Sequence, residues 1–447
     1  MRKVALHNLG CKVNSYETEA MRQALEENGY EIVAFSEKAD VYIINTCTVT
    51  NMADRKSRQM LHKAKKLNKD AVVVAVGCYV QAAGEELKKD EAIDIIIGNN
   101  NKSDIVSILD AYYETEDNNM FIEDLSRQAQ YDEMKMTTIG EHTRAFVKIQ
   151  DGCNQFCTYC IIPYARGRIR SRSLEDLGEE ILKLAECGYK EIVLTGIHLS
   201  SYGKDFAREE SKDEACKLTL IDAIKEVAKV DGIMRIRLGS LEPGIITEEF
   251  LEELKKIDKF CPHFHLSLQS GCDDTLKRMN RHYTADRYYE KCQLIRKYYE
   301  QAAITTDVIV GFPGETEEEF KTTSEFLAKV AFSEMHIFKY SKRQGTKAAV
   351  MENQVREEIK TVRSDKLIAL GERLREEYID TFLGKDAEVL IEEPMTIDGK
   401  TYMVGHTREY VKVVMDISDE YVGKIIPVVI KGRIKNEILL ANMKEMY

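Results

Sequence analysis

Strand-like apolar runs alternate with helical stretches from Val4 to Ser341, and this alternation predicts parallel sheets of the α/β class. Cysteines directly follow four of the predicted strands. The loops that follow parallel strands gather at one edge of a sheet, which is the edge where such sheets bind ligands. Cysteines that are far apart in the sequence can therefore meet at that edge.

The densest group of cysteines is Cys153-x3-Cys157-x2-Cys160, which follows a predicted strand at residues 145–151. A closed tetrahedral zinc site needs a fourth ligand, and His142 is the one histidine within twenty residues of the motif. Three thiolates can instead hold three irons of a four-iron–four-sulfur cluster and leave the fourth iron open. A partial zinc knuckle and reduced core cysteines are the alternatives.

A second set of cysteines follows three strands near the start of the chain. The cysteines are Cys11, Cys47 and Cys78, and the preceding strands are predicted at 4–9, 41–45 and 71–76. Because these strand ends share one edge of an open parallel sheet, the three thiols can form another three-thiolate site. Buried core cysteines are the alternative reading. The remaining cysteines have no ligand spacing and are predicted to be ordinary thiols: Cys187, Cys216, Cys261, Cys272 and Cys292.

Three regions of different pattern predict three domains, because 447 residues exceed a single ordinary core. Residues 1–136 are predicted to form an N-terminal open parallel α/β domain, in which Asn14 and Glu17 cap a helix over residues 15–28. Residues 137–380 contain six strand–helix units, which predict a partial (β/α)6 barrel. Its strands are predicted at 145–151, 190–196, 233–239, 263–269, 303–310 and 334–341.

Residues 381–447 contain five short β runs separated by glycines, which predict a small all-β barrel of the oligonucleotide-binding type. The runs are 386–392, 401–406, 409–415, 424–430 and 436–441. Either one face of this barrel is basic, for which the candidates are Arg408, Lys412, Lys431 and Arg433, or the barrel binds RNA only weakly.

Composition restricts the class of protein. The chain is 44% hydrophobic and 31% charged, and it has no run of about eighteen apolar residues, so we expect no membrane span. The start of the chain lacks a signal-peptide pattern, and eleven cysteines point to thiolate ligands and reduced thiols, so we expect a cytoplasmic protein. A net charge of −12 means that any RNA-binding surface is a local basic patch.

Groups of polar residues outside the cysteine motifs each have two possible roles. Arg166, Arg168, Arg170 and Arg172 alternate after the cysteine motif, so on an extended chain they share one face that can bind phosphate. Surface ion pairs are the alternative. Three histidines on predicted strands are expected to be barrel residues rather than ligands: His263, His265 and His336. A basic stretch on the second helix is either a phosphate contact or a solvated face: Arg55, Lys56, Arg58, Lys63, Lys65, Lys66 and Lys69.

The sequence QDGCNQFCTYCIIPYARGRIRSR at residues 150–172 resembles the radical S-adenosylmethionine (SAM) signature in the form that methylthiotransferases carry. LGCKVN around Cys11, NTCTVT around Cys47 and VGCY around Cys78 resemble the N-terminal cluster motifs of the same family. The resemblance implies two 4Fe-4S clusters, one on each set of three cysteines. It also implies that SAM chelates the open iron at the Cys153 motif and that one electron splits it into methionine and a 5′-deoxyadenosyl radical.

The resemblance further implies SAM contacts at the strand ends of the barrel. Tyr159 is expected beside the adenine, Thr195 and Gly196 beside the amino-acid part, and Glu242 beside the ribose hydroxyls. All the implied SAM-binding residues are Tyr159, Thr195, Gly196, Ser240, Glu242, Gln269, Gly311 and Phe338. No side chain is expected to act as a catalytic acid or base.

Within the family, LGCKVN and the run Thr195-Gly-Ile-His198 are similar to the branch that modifies N6-threonylcarbamoyladenosine (t6A), the base at position 37 next to the tRNA anticodon. The implied activity is radical insertion of a methylthio group at C2 of that base. The implied partners are the tRNA anticodon stem-loop and an external low-potential electron donor of the flavodoxin or ferredoxin type, with no membrane.

Other functions are consistent with the same motifs. Sister branches of the family modify isopentenyladenosine in tRNA or an aspartate of a ribosomal protein. A radical SAM methyltransferase could use the N-terminal cysteines only structurally, and a non-catalytic iron–sulfur protein could simply bind RNA. Sulfur in the product and release of 5′-deoxyadenosine separate these alternatives.

Overall fold

The structure is a computed structural model that describes residues 1–115, 120–125, 130–136, 143–206, 218–435 and 437–444. Cys216 and His142 lie outside the described residues, as do parts of the predicted connector before residue 143 and of the run 436–441. The domain boundaries at 136/137 and 380/381 stay predictions. Among the described helices, none is both long and apolar enough to cross a bilayer.

The N-terminal region is an open sheet of parallel strands with helices against it. The strands are β1 (Lys3–Asn8), β2 (Glu31–Ile32), β3 (Val41–Thr46), β4 (Val72–Gly77), β5 (Ile95–Ile97) and β6 (Met120–Phe121). Their order in the sheet is β2-β1-β3-β4-β5-β6, and every pair is parallel. The helices are α1 (Lys12–Glu27), α2 (Asn51–Leu67), α3 (Cys78–Ala83) and α4 (Ile105–Thr115). The predicted open parallel α/β arrangement is confirmed.

Helix α1 begins three residues before the predicted start, with Cys11 at its N-cap position. Asn14 and Glu17 therefore do not cap the helix. Both are buried, and Asn14 donates hydrogen bonds to the backbone oxygens of Leu9 and Thr46 at 2.9 and 3.0 Å. The predicted capping box is wrong because both side chains are used in contacts between elements.

The central region is a curved, open barrel. Its strands are β7 (Arg144–Asp151), β8 (Arg170–Ser171), β9 (Glu191–Gly196), β10 (Arg235–Leu238), β11 (Ser240–Leu241), β12 (His263–Leu266), β13 (Ala303–Val310) and β14 (Glu334–Lys339). They form two sheets, β10-β9-β7-β8 and β11-β12-β13-β14, which the parallel bridge between Ile236 and Phe260 connects. In the described part of this region, β8 pairs antiparallel with β7, and all the other strand pairs are parallel. The predicted partial (β/α)6 barrel is confirmed.

The helices around this barrel follow its strands. They are α5 (Ile162–Ala165), α6 (Leu174–Glu186), α7 (Leu220–Lys229), α8 (Glu248–Lys255), α9 (Asp273–Arg278), α10 (Ala285–Tyr298), α11 (Glu317–Val330) and α12 (Glu357–Asp380). Short 3-10 helices lie at Gly84–Lys89, Leu199–Ser201, Pro243–Ile245, Lys347–Val350 and Asp419–Tyr421.

Two histidines lie on the inner face of the barrel. Phe264 and Leu266 of β12 are fully buried in the main core, so His265 faces the opposite side of the strand. Met335 and Ile337 of β14 also pack against that core, which turns His336 and Phe338 to the inner face.

The last region is a closed barrel of short strands. The strands are β15 (Asp386–Ile397), β16 (Lys400–His406), β17 (Lys412–Met415), β18 (Ile425–Lys435) and β19 (Ile438–Met443), in the order β15-β16-β17-β19-β18. The predicted all-β barrel is confirmed. It packs under the first residues of the central strands, because Arg235 and Arg237 of β10 donate to the carbonyl oxygens of His406 and Thr407 at 2.9 and 2.7 Å.

Candidate cluster sites

The three N-terminal cysteines meet at one sheet edge. Cys11, Cys47 and Cys78 follow β1, β3 and β4, which are neighbours in the sheet. Gly10 has a φ of +129°, and a Cβ added to it would lie 3.2 Å from Cys47 Sγ, so this close approach needs glycine. The pKa of Cys47 is raised to about 11, mainly by burial, with a smaller contribution from the nearby Cys78 and Cys11 thiols.

Arg166 connects this cysteine set to the barrel. Its Nε donates to Cys78 Sγ at 3.2 Å, and its Nη1 donates to Glu17 Oε1 at 2.8 Å and to Asp151 Oδ2 at 3.0 Å. Lys102 and Lys148 also pair with Glu17 in this fully buried network. These cations outnumber the two carboxylates, so the network can compensate the charge of a buried thiolate.

The predicted phosphate-binding face after the cysteine motif is wrong. Arg166, Arg170 and Arg172 are all buried, and Arg172 pairs with Glu180. The chain is extended only at β8 and not throughout this stretch, since α5 and a positive φ of +69° at Gly167 turn it before that strand. Of these four arginines only Arg168 is exposed, and its guanidinium lies 4.9 Å from the centre of the Phe156 ring. The arginines form ion pairs, as the alternative expected, but these pairs are buried and not at the surface.

The second cysteine set lies in one loop after β7. The Cys160 backbone N–H donates to the Cys157 oxygen at 3.0 Å, and the Cys153 N–H donates to the Gly167 oxygen at 3.0 Å. The pKa of Cys153 is raised to about 11 and that of Cys160 to about 12, mainly by burial, with a contribution from the neighbouring Cys157 to both. The three thiols therefore face a common space.

Arg281 holds this loop as Arg166 holds the other site. Its Nη1 donates to Cys157 Sγ at 3.3 Å, and its Nη2 donates to Glu242 Oε1 at 2.7 Å. Sequence reasoning missed Arg281 because it lies far along the chain in a loop without a motif. It missed the role of Arg166 because it assigned that residue to the surface.

Neither thiol set is as compact as a single zinc ion requires, among the described residues. Among the described residues, the groups whose donor atoms all lie within 4.8 Å are His265, Asp307 and His336, and Cys272, Asp274 and Glu319. Neither cysteine set is among them. Sulfurs on one tetrahedral zinc lie about 3.8 Å apart, given a Zn–S distance of about 2.3 Å. The three thiols of each set and the arginine that donates to one of them fit a 4Fe-4S cluster with one open iron.

The implied SAM-binding residues lie at the same edge of the barrel as Cys153, Cys157 and Cys160. Each lies on or after a strand: Tyr159 after β7, Thr195 and Gly196 on β9, Ser240 on β11, Glu242 after β11, Gln269 after β12, Gly311 after β13 and Phe338 on β14. The Tyr159 ring centre lies 6.4 Å from that of Phe312, and 47% of Phe338 is exposed. Their contacts with SAM stay predictions.

Two of these residues have contacts within the chain that the sequence did not indicate. Glu242 pairs with Arg281, which ties it to Cys157. A Cβ on Gly311 would lie 2.3 Å from Lys360 Cγ, so this glycine admits helix α12. Close contact with adenine is therefore not needed to explain it.

Two family models match the chain. The model of the Uncharacterized protein family UPF0004 matches residues 3–98, and that of the Radical SAM superfamily matches residues 147–327. A solved radical SAM methyltransferase, TsrM from Kitasatospora setae with cobalamin and a 4Fe-4S cluster bound, has a TM-score of 0.56 at 15% identity. That match covers 78% of this chain and 74% of that chain, and it concerns the fold alone. The barrel and its cysteine loop thus define a radical SAM protein.

Curated relatives define the family more narrowly. Threonylcarbamoyladenosine tRNA methylthiotransferase MtaB of Bacillus subtilis (strain 168) is 42% identical over 96% of this chain and 93% of the relative. MtaB of Aquifex aeolicus (strain VF5) is 40% identical over 90% and 95%. The tRNA-2-methylthio-N(6)-dimethylallyladenosine synthase of Acetivibrio thermocellus is 37% identical over 95% and 87%. The chain belongs to the tRNA methylthiotransferase family, in the threonylcarbamoyladenosine branch.

Proposed function

We propose that this chain inserts a methylthio group at C2 of N6-threonylcarbamoyladenosine at position 37 of tRNA. The observation that supports this most is the pair of three-cysteine sites at strand ends of two sheets, bridged by Arg166 between Cys78 and Asp151. The names of the MtaB relatives support the base and the transferred group.

The target C–H bond explains why no general acid or base is needed. An aromatic C–H is too weak an acid for any side chain at neutral pH, whereas a carbon radical can abstract the hydrogen. When bound, a 4Fe-4S cluster at Cys153, Cys157 and Cys160 supplies the electron that cleaves SAM to such a radical, and one at Cys11, Cys47 and Cys78 carries the sulfur.

In this scheme the side chains of the protein bind SAM and orient the cluster loop. Arg281 donates hydrogen bonds to both Cys157 and Glu242. It therefore fixes the distance between the thiolate loop and the carboxylate that is proposed to accept from the SAM ribose. The implied SAM contacts are proposed in full: Tyr159, Thr195, Gly196, Ser240, Glu242, Gln269, Gly311 and Phe338.

The proposed partners are the tRNA anticodon stem-loop and a low-potential donor of the flavodoxin or ferredoxin type. Exposed groups beside the cluster loop support RNA binding, because Tyr164 is 52% exposed and its ring meets that of Phe156 at 5.8 Å. Arg168 lies over Phe156, and splayed RNA bases stack on such aromatic and guanidinium planes. We propose a cytoplasmic location, since the relatives modify tRNA.

Mass spectrometry of tRNA nucleosides tests this function. Anaerobically reconstituted protein, SAM and dithionite are incubated with tRNA that carries t6A or, as the control, isopentenyladenosine. We expect the 2-methylthio derivative of t6A and an unchanged control.

Other outcomes of this experiment contradict the proposal. Thiolation of the control base alone assigns the chain to the sister branch. A methylated product without sulfur indicates a methyltransferase, and no 5′-deoxyadenosine at all indicates a non-catalytic protein.

A further inference from the structure

Three polar side chains on adjacent strands face the inside of the partial barrel. His265, Asp307 and His336 lie on β12, β13 and β14, and Asp307 and His336 are partners in the strand register. The His265 and His336 ring centres lie 5.8 Å apart, and His265 Nε2 lies 3.3 Å from Asp307 Oδ2. Thr305 Oγ1 lies 2.9 Å from His265 Nδ1 and so fixes that ring. His336 is exposed, so the three line open space rather than a packed core.

Lys12 projects toward the same space from the other side. It directly follows Cys11 and opens helix α1, and its Nζ lies 5.8 Å from the centre of the Phe146 ring on β7. Phe146 lines one cavity together with Thr305, the residue that fixes the His265 ring. The Lys12 ammonium therefore lies beside the space that the three polar side chains face.

Lys12 differs from the other cations there in having no partner. Arg237 pairs with Glu191 at 2.8 Å, and Arg144 pairs with Glu392. In the part of the chain that the structure describes, no hydrogen bond or ion pair is formed by the Lys12 ammonium. An unpaired ammonium beside a cysteine site is suited to an anionic ligand group.

The side group of t6A matches this set of residues. It carries a carboxylate for the ammonium, and a hydroxyl and ureido N–H groups that can donate to Asp307. The sister substrate carries a hydrocarbon side group instead, which would leave these polar side chains without partners in a confined space. Sites built on polar pairing reject such analogues strongly.

We propose that Lys12, with His265, Asp307 and His336, forms the subsite that binds the threonylcarbamoyl group, and that Lys12 pairs with its carboxylate. This inference rests on the proposed function. Because Lys12 is next to Cys11, the same contact places the base beside the N-terminal cysteine site. Lys12 thus determines specificity and takes no part in SAM cleavage.

A charge-removing variant tests Lys12 in the reconstituted holoenzyme. Lys12→Met is expected to lower kcat/KM for t6A-bearing tRNA about 30-fold, the effect of one charge-assisted hydrogen bond. Iron content and reductive SAM cleavage stay at the wild-type level, and Lys12→Arg restores most of the activity. Lys38→Met removes the same charge from an exposed loop of the same sheet and is the matched control.

A modified substrate tests the carboxylate itself. The substrate is tRNA whose t6A carboxylate is converted to the amide. For the wild type, we expect kcat/KM and the affinity for the stem-loop to fall by about the same factor as Lys12→Met causes with the acid. Lys12→Met is expected to have the same kcat/KM for the acid and the amide substrate. The inference is overturned if the wild type accepts both equally, or if Lys12→Met still prefers the acid.

Failure of the subsite and failure of the proposed function give different results. If the wild type makes no 2-methylthio t6A, the proposed function is wrong; if it does and Lys12→Met reacts equally well, only the subsite is wrong. Retention of one Zn²⁺ or Mn²⁺ beyond the cluster irons, lost in His336→Ala, would instead make the three barrel residues a metal site and overturn the inference.

Discussion

Two arginines determine the electrostatics of the cysteine sites. Arg166 donates to Cys78 Sγ at 3.2 Å, and Arg281 donates to Cys157 Sγ at 3.3 Å. A guanidinium stays charged at any physiological pH, so it can stabilise a thiolate where burial favours the neutral thiol. Each arginine also binds a carboxylate, which fixes the direction of its N–H groups.

Replacing Arg166 is expected to weaken the junction between the two cysteine sites. Arg166→Met leaves the buried Glu17 and Asp151 without their main partner, so the free energy of unfolding of the apo-protein should fall by roughly 3–5 kcal/mol. Anaerobic urea titration measures it. Arg168→Met is the control, since Arg168 is exposed and should change stability by less than about 0.5 kcal/mol. Equal effects of the two variants would contradict the role of the buried network.

At the scale of elements, the sequence predicted most strands and both cysteine sets. Apolar runs such as 41–45 and 71–76 coincide with β3 and β4 within one residue at each end, because fully buried parallel strands are continuously apolar. Because the ends of parallel strands share one edge of a sheet, the sequence alone predicted that Cys11, Cys47 and Cys78 lie close together.

Contacts between distant elements could not be predicted in the same way. Arg166 meets Glu17 across 149 positions of sequence, and Arg281 meets Cys157 across 124. Local spacing therefore assigned Glu17 to a helix cap and Arg166 to the surface. Charged residues at fixed spacing predict a face only if the local backbone is regular, and the positive φ at Gly167 breaks it.

The β1–α1 turn offers a test at the scale of one element. Gly10→Ala puts a Cβ 3.2 Å from Cys47 Sγ at a φ of +129°, so the turn must shift and the N-terminal site should lose its cluster. Iron per polypeptide is expected to fall from about eight to about four, with SAM cleavage retained. Gly29→Ala, at a φ of +82° in open space, is the matched control and should keep its iron. Full iron content in Gly10→Ala would contradict this.

For the whole molecule, the distribution of cations decides where RNA can bind. The chain has a net charge of −12, and two of the four arginines and lysines proposed for the last barrel are used internally. Arg408 donates to the Phe260 oxygen at 2.8 Å, and Arg433 pairs with Asp380. This last barrel also covers the first residues of the central strands, at the end of the central barrel opposite the cysteines. The exposed groups beside the cluster loop are therefore the surface that we propose for RNA.

Tyr164 tests this placement of the RNA. Tyr164→Ala is expected to weaken binding of the anticodon stem-loop about 10-fold, in line with one stacking contact, without changing SAM cleavage. Fluorescence anisotropy measures the affinity. Leu182→Ala removes an equally exposed apolar side chain from α6 and should leave it unchanged, since Leu182 is also 52% exposed. Unchanged affinity in Tyr164→Ala would place the RNA elsewhere.

The most direct test of the central claim separates the two cysteine sites in one protein. In anaerobically reconstituted Cys11→Ala, 5′-deoxyadenosine and 2-methylthio t6A are measured together by mass spectrometry of the reaction with t6A-bearing tRNA. The account predicts that 5′-deoxyadenosine still forms, because Cys153, Cys157 and Cys160 are intact, and that no methylthio product appears. Methylthio t6A at the wild-type level would contradict the claim that the N-terminal site carries the sulfur.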